Sequence, residues 1–214
     1  NDPLSMNGSK TIEERKKLLK ICYKIIFNSN WSKKRFLEGL ENKFVNSNKL
    51  VVFFQSAKKN DISILKQKKN WITFVGKLNK AKGYDVFAKA INRILNVYPN
   101  WKAKIIGDEK REKISLNHKN ADIMGFLSHD EVLKVFKKTS IAVACSRWEE
   151  PFGRTSLEAS ACGCAVIITN KGGLPETVTN AKILQELNVI NLEKVIKKLI
   201  DNPSIRKEYQ KLSI

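Results

Sequence analysis

The 214-residue chain predicts an α/β fold built on a doubly wound parallel sheet. Three features predict it. From Asn70 onward, short apolar runs alternate with longer stretches of helical period, the pattern of strands and helices taken in turn. The runs are near-continuous rather than alternating, as strands buried on both faces require. Two end in glycine at the same sheet edge, at Gly76 and Gly107. An apolar content of 42% supplies a core and excludes a disordered chain.

In chain order, KTIEERKKLLKIC (10–22) predicts a helix with a charged face, and YKIIFNS (23–29) a buried strand. Asn30 or Ser32 is placed to cap a helix over WSKKRFLEGL, which Gly39 weakens near its end. The Asn-rich ENKFVNSN (41–48) reads as a linker, and KLVVFFQS (49–56) as another strand. WITFVG (71–76) opens the regular alternation. In the helix that follows, Tyr84, Phe87, Ala88, Ile91, Ile94, Leu95 and Tyr98 recur at i, i+3, i+4 and i+7. Strands are predicted over WKAKIIG (101–107), ADIMGF (121–126), SIAVACS (140–146), CAVIIT (164–169) and KIL (182–184). Helices are predicted over HDEVLKVFKK (129–138), over RTSLEASA, and over LEKVIKKLID, where Leu192, Val195, Ile196, Leu199 and Ile200 share a face.

Forty Lys and Arg against 21 Asp and Glu give a net charge of +19. Such a charge suits a polyanion: nucleic acid, an anionic membrane face or a phosphorylated ligand. A composition rich in Lys, Asn and Ile explains it equally well, since many lysines (Lys16, Lys17, Lys20; Lys194, Lys197, Lys198) spread along helix faces as solvated surface. The four cysteines form no C-x-x-C pair and read as those of a reduced, cytoplasmic protein. No apolar run approaches the ~18 residues of a membrane span. The first residue is Asn1, which leads us to expect a processed chain or a fragment.

The chemistry-bearing residues fall where strands hand over to helices, the edge at which doubly wound sheets bind ligands. KLNKAKG after Gly76 puts Lys77 and Lys82 on one strand-to-helix loop, able to reach one phosphate beside a helix N-terminus. Ordinary loop lysines are the plain alternative. IIGDE ends a strand at the same edge. GFLSHDEV offers an apolar wall with Ser128 or Asp130 as helix cap; a capped helix after a strand explains it as well. The strongest stretch is EEPFGRTSLEASACG (149–163). Pro151 and Gly153 make a turn, so the amides of Phe152, Gly153, Arg154 and Thr155 are helix N-terminal donors. Glu158 lies too deep in its helix to serve as an N-terminal charge, and its neighbours are small. A carboxylate there can accept two hydrogen bonds from a vicinal diol such as a ribose. Glu150 alone is explained by compensation of the helix dipole.

EPFGRTSLE, with its Glu150-x7-Glu158 spacing, resembles the paired-glutamate motif of the retaining glycosyltransferases of family 4, which have the GT-B fold. FVGKLNKAKG, KIIGDE, IMGFLSHDEV and NKGGLPETV extend the resemblance in order, from about Trp71 to Thr179. It implies a Rossmann-like donor-nucleotide domain at 48–200, a stub of the N-terminal acceptor domain at 1–47, and a C-terminal helix at 201–214. It implies that Glu158 binds the ribose hydroxyls. Glu150 meets the donor sugar with the amides of Phe152, Gly153 and Arg154. Lys77 and Lys82 neutralise the diphosphate, Gly76 shapes their loop, Phe126 and Leu127 lie against the base, and Gly172 and Gly173 belong to a loop near the donor. Departures are Lys77 where the family has Arg, Cys145 where it often has Pro, the linker from Phe54 to Asp61, and a shortened segment after Glu176.

The implied activity is transfer of a sugar from a nucleotide sugar to an acceptor hydroxyl with retention, in cell-surface polysaccharide or lipopolysaccharide synthesis. The chain would be the donor-binding part of that enzyme. No D-x-D pair occurs, so neither metal nor other cofactor is expected. The expected partners are a nucleotide diphosphate sugar and a glycan or lipid-linked acceptor, with no nucleic acid. The charge leaves room for an anionic membrane surface, and the expected location is cytoplasmic, with a peripheral position on the inner membrane face allowed. The rivals are a basic nucleic-acid-binding module, for which aromatic-basic interleaving is lacking, and a GT-B relative such as a nucleotide-sugar epimerase or a glycogen-type phosphorylase. His118 and His129 are the only histidines open to the epimerase.

Overall fold

The computed structural model describes residues 3–4, 9–44, 47–57 and 68–211. Its centre is a parallel sheet of six strands: β3 (Lys69–Val75), β4 (Lys102–Ile106), β5 (Ala121–Ile123), β6 (Thr139–Ala144), β7 (Ala165–Thr169) and β8 (Lys182–Leu184), in the order β5-β4-β3-β6-β7-β8. Two smaller strands, β1 (Ile25–Phe27) and β2 (Leu50–Val52), pair in parallel near the N-terminus with α1 (Ile12–Ile21) and α2 (Asn30–Leu37). The remaining helices are α3 (Tyr84–Val97), α4 (His129–Lys138), α5 (Arg154–Ala161), α6 (Val189–Asp201) and α7 (Pro203–Lys211).

Both faces are covered at the centre of the large sheet, which is why β6 and β7 carry no polar alternation, whereas β4 begins with Lys102 and Lys104 on its less covered face. Ile72, Phe74, Ile105, Ile141, Val143 and Ile167 point into a core closed by α3, α6 and α7. Ile106, Ala142, Val166 and Ile168 point the other way, against α4 and α5. The apolar stripe of α3 is buried along its length, Tyr84, Phe87, Ile91 and Ile94 all being inaccessible. Arg15 of α1 is buried in the small unit, where its guanidinium donates to the carbonyls of Phe36 (2.5 Å) and Glu38 (2.6 Å).

The predicted α/β sheet is therefore present, with differences at element ends. Ser29, rather than Asn30 or Ser32, caps α2, its hydroxyl accepting from the Ser32 amide at 3.0 Å. Ser128, not Asp130, caps α4. The strand in KLVVFFQS stops at Val52, leaving Phe53 and Phe54 exposed beyond it. The ENKFVNSN linker holds a 3-10 turn, Asn42–Phe44, while its residues 45–46 fall outside the described residues, as do 58–61 of the Phe54–Asp61 linker. The helix over LEKVIKKLID begins earlier, at Val189 behind an Asn188 cap. The helix expected at 201–214 is α7, separated from α6 at Asn202; residues 212–214 fall outside the described residues.

The strand order fixes where a ligand can enter. The chain runs from β3 outward to β4 and β5, then returns to lay β6 on the other side of β3. Connections after β3 and β6 therefore diverge, and a crevice opens beyond the carboxyl ends of those two strands.

Candidate active site

The crevice is occupied by a cavity of about 370 Å³. One wall is the loop from Gly76 to Gly83. Asn79, almost fully buried, holds this loop: its Oδ1 accepts from the Lys82 amide (3.0 Å) and its Nδ2 donates to Glu109 (3.0 Å). The Arg111 backbone and guanidinium and the Asn79 amide all donate to Glu109, and hold its carboxyl down at about 2. Gly83 ends the loop at φ +72, where a Cβ would stand 1.9 Å from the Cys145 carbonyl oxygen. Glycine is required there by both backbone conformation and space.

The opposite wall follows β6. The Ala81 carbonyl accepts from the amides of Arg147 (2.9 Å) and Trp148 (3.1 Å), and the Arg147 guanidinium grips Asp85 at 2.6 and 2.9 Å. The two loops are thus tied to each other. Past them, Pro151 and Gly153 turn the chain into α5. Among the described residues no side chain caps α5, and the residues that carry its first amides, Gly153, Arg154 and Thr155, line the cavity. The loop after β7 packs on this turn. The Gly173 amide donates to the Glu150 carbonyl (2.6 Å), and a Cβ on Gly172 would lie 2.2 Å from that same oxygen.

Of the residues singled out in the sequence, Gly76, Lys82, Glu150, Phe152, Gly153, Arg154 and Thr155 line the cavity together. The Lys82 ammonium donates to the Glu150 carboxylate inside it. Glu158 stands behind that wall, accepting from His129 Nε2 (3.1 Å) and from Arg154 Nη2 (3.0 Å) and Nε (3.3 Å). It is therefore a paired acid, with Arg154 connecting it to the cavity. Lys77 is exposed at the start of its loop and does not line the cavity. Phe126 is 81% exposed, and Leu127 packs against the α4–α5 core, so neither forms a cavity wall. Cys145 does line it, but burial pushes its thiol up to about 12, which leaves it neutral and unreactive.

Residues that the sequence reading passed over are Asn28 and Gln55, which also line the cavity, and Asn79. For Asn79 a signal existed: Asn three residues before a loop lysine is placed to accept from that lysine's amide. Asn28 carries no such signal, being brought in across the fold. Among the described residues, no group of three or more His, Cys, Asp or Glu is gathered as a metal site, and no helix is long and apolar enough to cross a membrane.

The family Glycosyl transferases group 1 matches residues 55–213. An uncharacterized glycosyltransferase of Methanocaldococcus jannaschii is 32% identical over 193 residues, covering 86% of this chain and 51% of that protein. A glycogen synthase of Mycobacterium tuberculosis is 27% identical over 143 residues, 62% of this chain and 34% of that protein. Among solved structures, Anabaena HepE in complex with UDP superposes with a TM-score of 0.80 at 18% identity, over 99% of this chain and 65% of that one. The same protein in complex with UDP-glucose gives 0.78. At that identity the likeness is one of fold. The chain spans about half the length of the first of these relatives and a third of the second. A family match running from the β2–β3 connection into the last residues, on a sheet whose cavity opens at the family's expected edge, establishes that this chain belongs to the group 1 glycosyl transferases.

Proposed function

We propose that the chain carries the donor site of a retaining glycosyltransferase of family 4, which transfers a sugar from a nucleotide diphosphate sugar to an acceptor hydroxyl. The observation that carries this reading is the convergence of Lys82, Glu150 and the uncapped amides of α5 on one cavity at the switch point. A sugar diphosphate needs that set: cationic and amide donors for the phosphates, and a carboxylate to accept from sugar hydroxyls. Negative charge grows on the diphosphate as the glycosidic bond breaks. Lys82 and the α5 amides, already in place, stabilise it without a metal. Lys77 joins them by swinging in from its exposed position. Glu150 orients the sugar, and the acceptor attacks from the face the diphosphate leaves, which retains configuration. Glu158 takes the ribose hydroxyls, and Leu127 and Phe126 lie on the base side.

The UDP and UDP-glucose seen in the Anabaena relative make uridine nucleotides the first donors to test. Glycan and lipid-linked acceptors of cell-surface polysaccharide or lipopolysaccharide fit the reading, as does action in the cytoplasm at the inner membrane face. The test is a thermal shift with UDP, GDP and ADP beside an oligonucleotide. One nucleotide should stabilise the chain. Glu158→Ala should weaken that nucleotide about 10- to 100-fold, the loss of charged hydrogen bonds to a diol. Stabilisation by the oligonucleotide alone overturns the reading.

A further inference from the structure

The family match begins at residue 55, yet a direct tie on the Glu150 turn comes from the N-terminus of α2, far outside it. The two hydroxyls at the start of α2, Ser29 and Ser32, are buried; Ser29 donates to the carbonyl of Pro151 at 2.5 Å, and Ser32 shares its proton between Asn28 Oδ1 (2.9 Å) and the same carbonyl (3.2 Å). The same helix end docks on Glu176. One carboxylate oxygen accepts from the Asn30 amide (2.7 Å) and the Asn30 side chain (2.9 Å), and the other accepts from the Trp31 amide (2.8 Å). Glu176 thus takes donors that the first turn of a helix leaves without partners, where the helix dipole also favours a negative charge.

These contacts reach Glu150 through the backbone. Glu176 ends the loop whose Gly173 amide holds the Glu150 carbonyl (2.6 Å), and α2 holds the next carbonyl, that of Pro151. A Cβ on Gly173 would stand 2.4 Å from the Pro151 oxygen and 2.9 Å from the Ser29 hydroxyl, so the three segments meet with no room between them. Three hydrogen bonds to one carboxylate are more than a helix cap needs. They join an element carrying no donor-binding residue in the matched family segment to the turn that carries Glu150.

We propose that Glu176 is a positioning residue: by seating the N-terminus of α2 against the Glu150 turn, it sets the direction in which the Glu150 carboxylate meets the donor sugar. This rests on the donor-site reading above. Glu176 touches no part of the donor. The nucleotide half of the donor is held by Lys82, the α5 amides and Glu158, none of which is bonded by the latch that Glu176 forms with Asn30 and Trp31. Loss of the latch therefore separates the two halves. Affinity for the sugar falls and affinity for the diphosphate does not, whereas general loosening of the fold lowers both.

The experiment measures dissociation constants by calorimetry for UDP, GDP and ADP, each beside its glucose ester, and follows the pair that the wild-type chain binds most tightly. Glu176→Ala should leave the nucleoside diphosphate within about two-fold and lower the preference for the sugar ester about ten-fold, the cost of a misdirected contact. Glu176→Gln, which keeps an acceptor oxygen, should recover part of that preference. Should Glu176→Ala fail to fold, the double variant Ser29→Ala/Ser32→Ala releases the Pro151 carbonyl and should give the same split. Equal losses for both ligands, or no loss for either, overturn the inference and leave the donor-site reading intact. So does a wild-type chain that binds a nucleoside diphosphate but shows no preference for its ester. A wild-type chain that binds none of the six overturns both.

Discussion

Replacing Glu150 by Gln should tighten the binding of a bare nucleoside diphosphate. The change removes one negative charge from the cavity and keeps its shape. The Lys82 ammonium is paired with the Glu150 carboxylate, so a diphosphate must displace that acid to reach the lysine. The gross attraction of such a pair is about 1 kcal/mol in water and about 4 kcal/mol at the effective dielectric of a protein surface. The Lys82 side chain is 34% exposed, so most of this is screened, and the net strength of the pair is of order 1 kcal/mol. Removing the competitor should therefore lower the dissociation constant of the diphosphate about five-fold. The sugar nucleotide should move the other way. It loses a charged hydrogen-bond acceptor, about 1.5 to 3 kcal/mol, or roughly a ten-fold to hundred-fold weakening before the gain at Lys82 is counted. Calorimetry on both ligands reads the crossing directly. Added salt should shrink the gain for the diphosphate, because the competing pair is itself screened. A Glu150→Gln chain that binds the bare diphosphate more weakly than wild type refutes the reasoning, for then the carboxylate supports Lys82 rather than competing for it.

Two further outcomes concern the frame of the site. Gly83→Ala forces a left-handed residue to carry a Cβ into the Cys145 carbonyl at 1.9 Å; the cost should be about 3 kcal/mol or more, and the melting temperature should fall by about 10 °C in a calorimetric scan. Glu109 has its carboxyl held down to about 2 in the folded chain against an ordinary 4.5, so its contribution to stability is complete above pH 4.5 and is lost as the pH falls towards 2. Glu109→Gln should flatten the fall of melting temperature across that window, and an unchanged slope shows that the Arg111 and Asn79 contacts to Glu109 carry no net stability.

Much of the sheet was legible because its cause is local. β6 and β7 are buried on both sides, β3 and β4 end in apolar runs, and α3 repeats its buried residues at helical spacing, so a window of a dozen residues contains the evidence. Gly76 and Gly83 mark a strand end and a helix start within one loop. The site was legible to the depth of that same locality. Lys82 and the turn at Pro151–Gly153 sit at strand-to-helix junctions, and the topology places junctions of neighbouring strands together. Side-chain partners across the fold were not legible. Glu158 stands out in the sequence only by its depth in the helix and its small neighbours; of its two partners Arg154 is four positions away, but His129, 29 positions away, lies on a neighbouring helix. Ser29 and Glu176 met no pattern because their partners are 122 and 146 positions distant. The cap of α2 moved by one residue for the same reason: Ser29 caps its own helix and bonds Pro151, a pairing that only the tertiary fold provides.

The arrangement of charge bears on the nucleic-acid reading that a net charge of +19 allows. Around the cavity the acids are matched to bases: Glu150 to Lys82, Glu158 to Arg154 and His129, Asp85 to Arg147, and Glu149 to Lys171 at 3.6 Å. A diphosphate entering here exchanges one anion for another at Lys82 instead of adding to a field of unpaired cations. Its affinity should then depend weakly on ionic strength. A nucleic acid lying on the surface lysines of a chain with this net charge would release one counterion for nearly every phosphate neutralised, and its affinity would fall steeply as salt rises. The slope of log affinity against log salt thus separates the two ligands by mechanism, whatever their absolute affinities. A slope near one or below for the diphosphate places binding in the matched cavity; a slope of several units places it on the lysine surface.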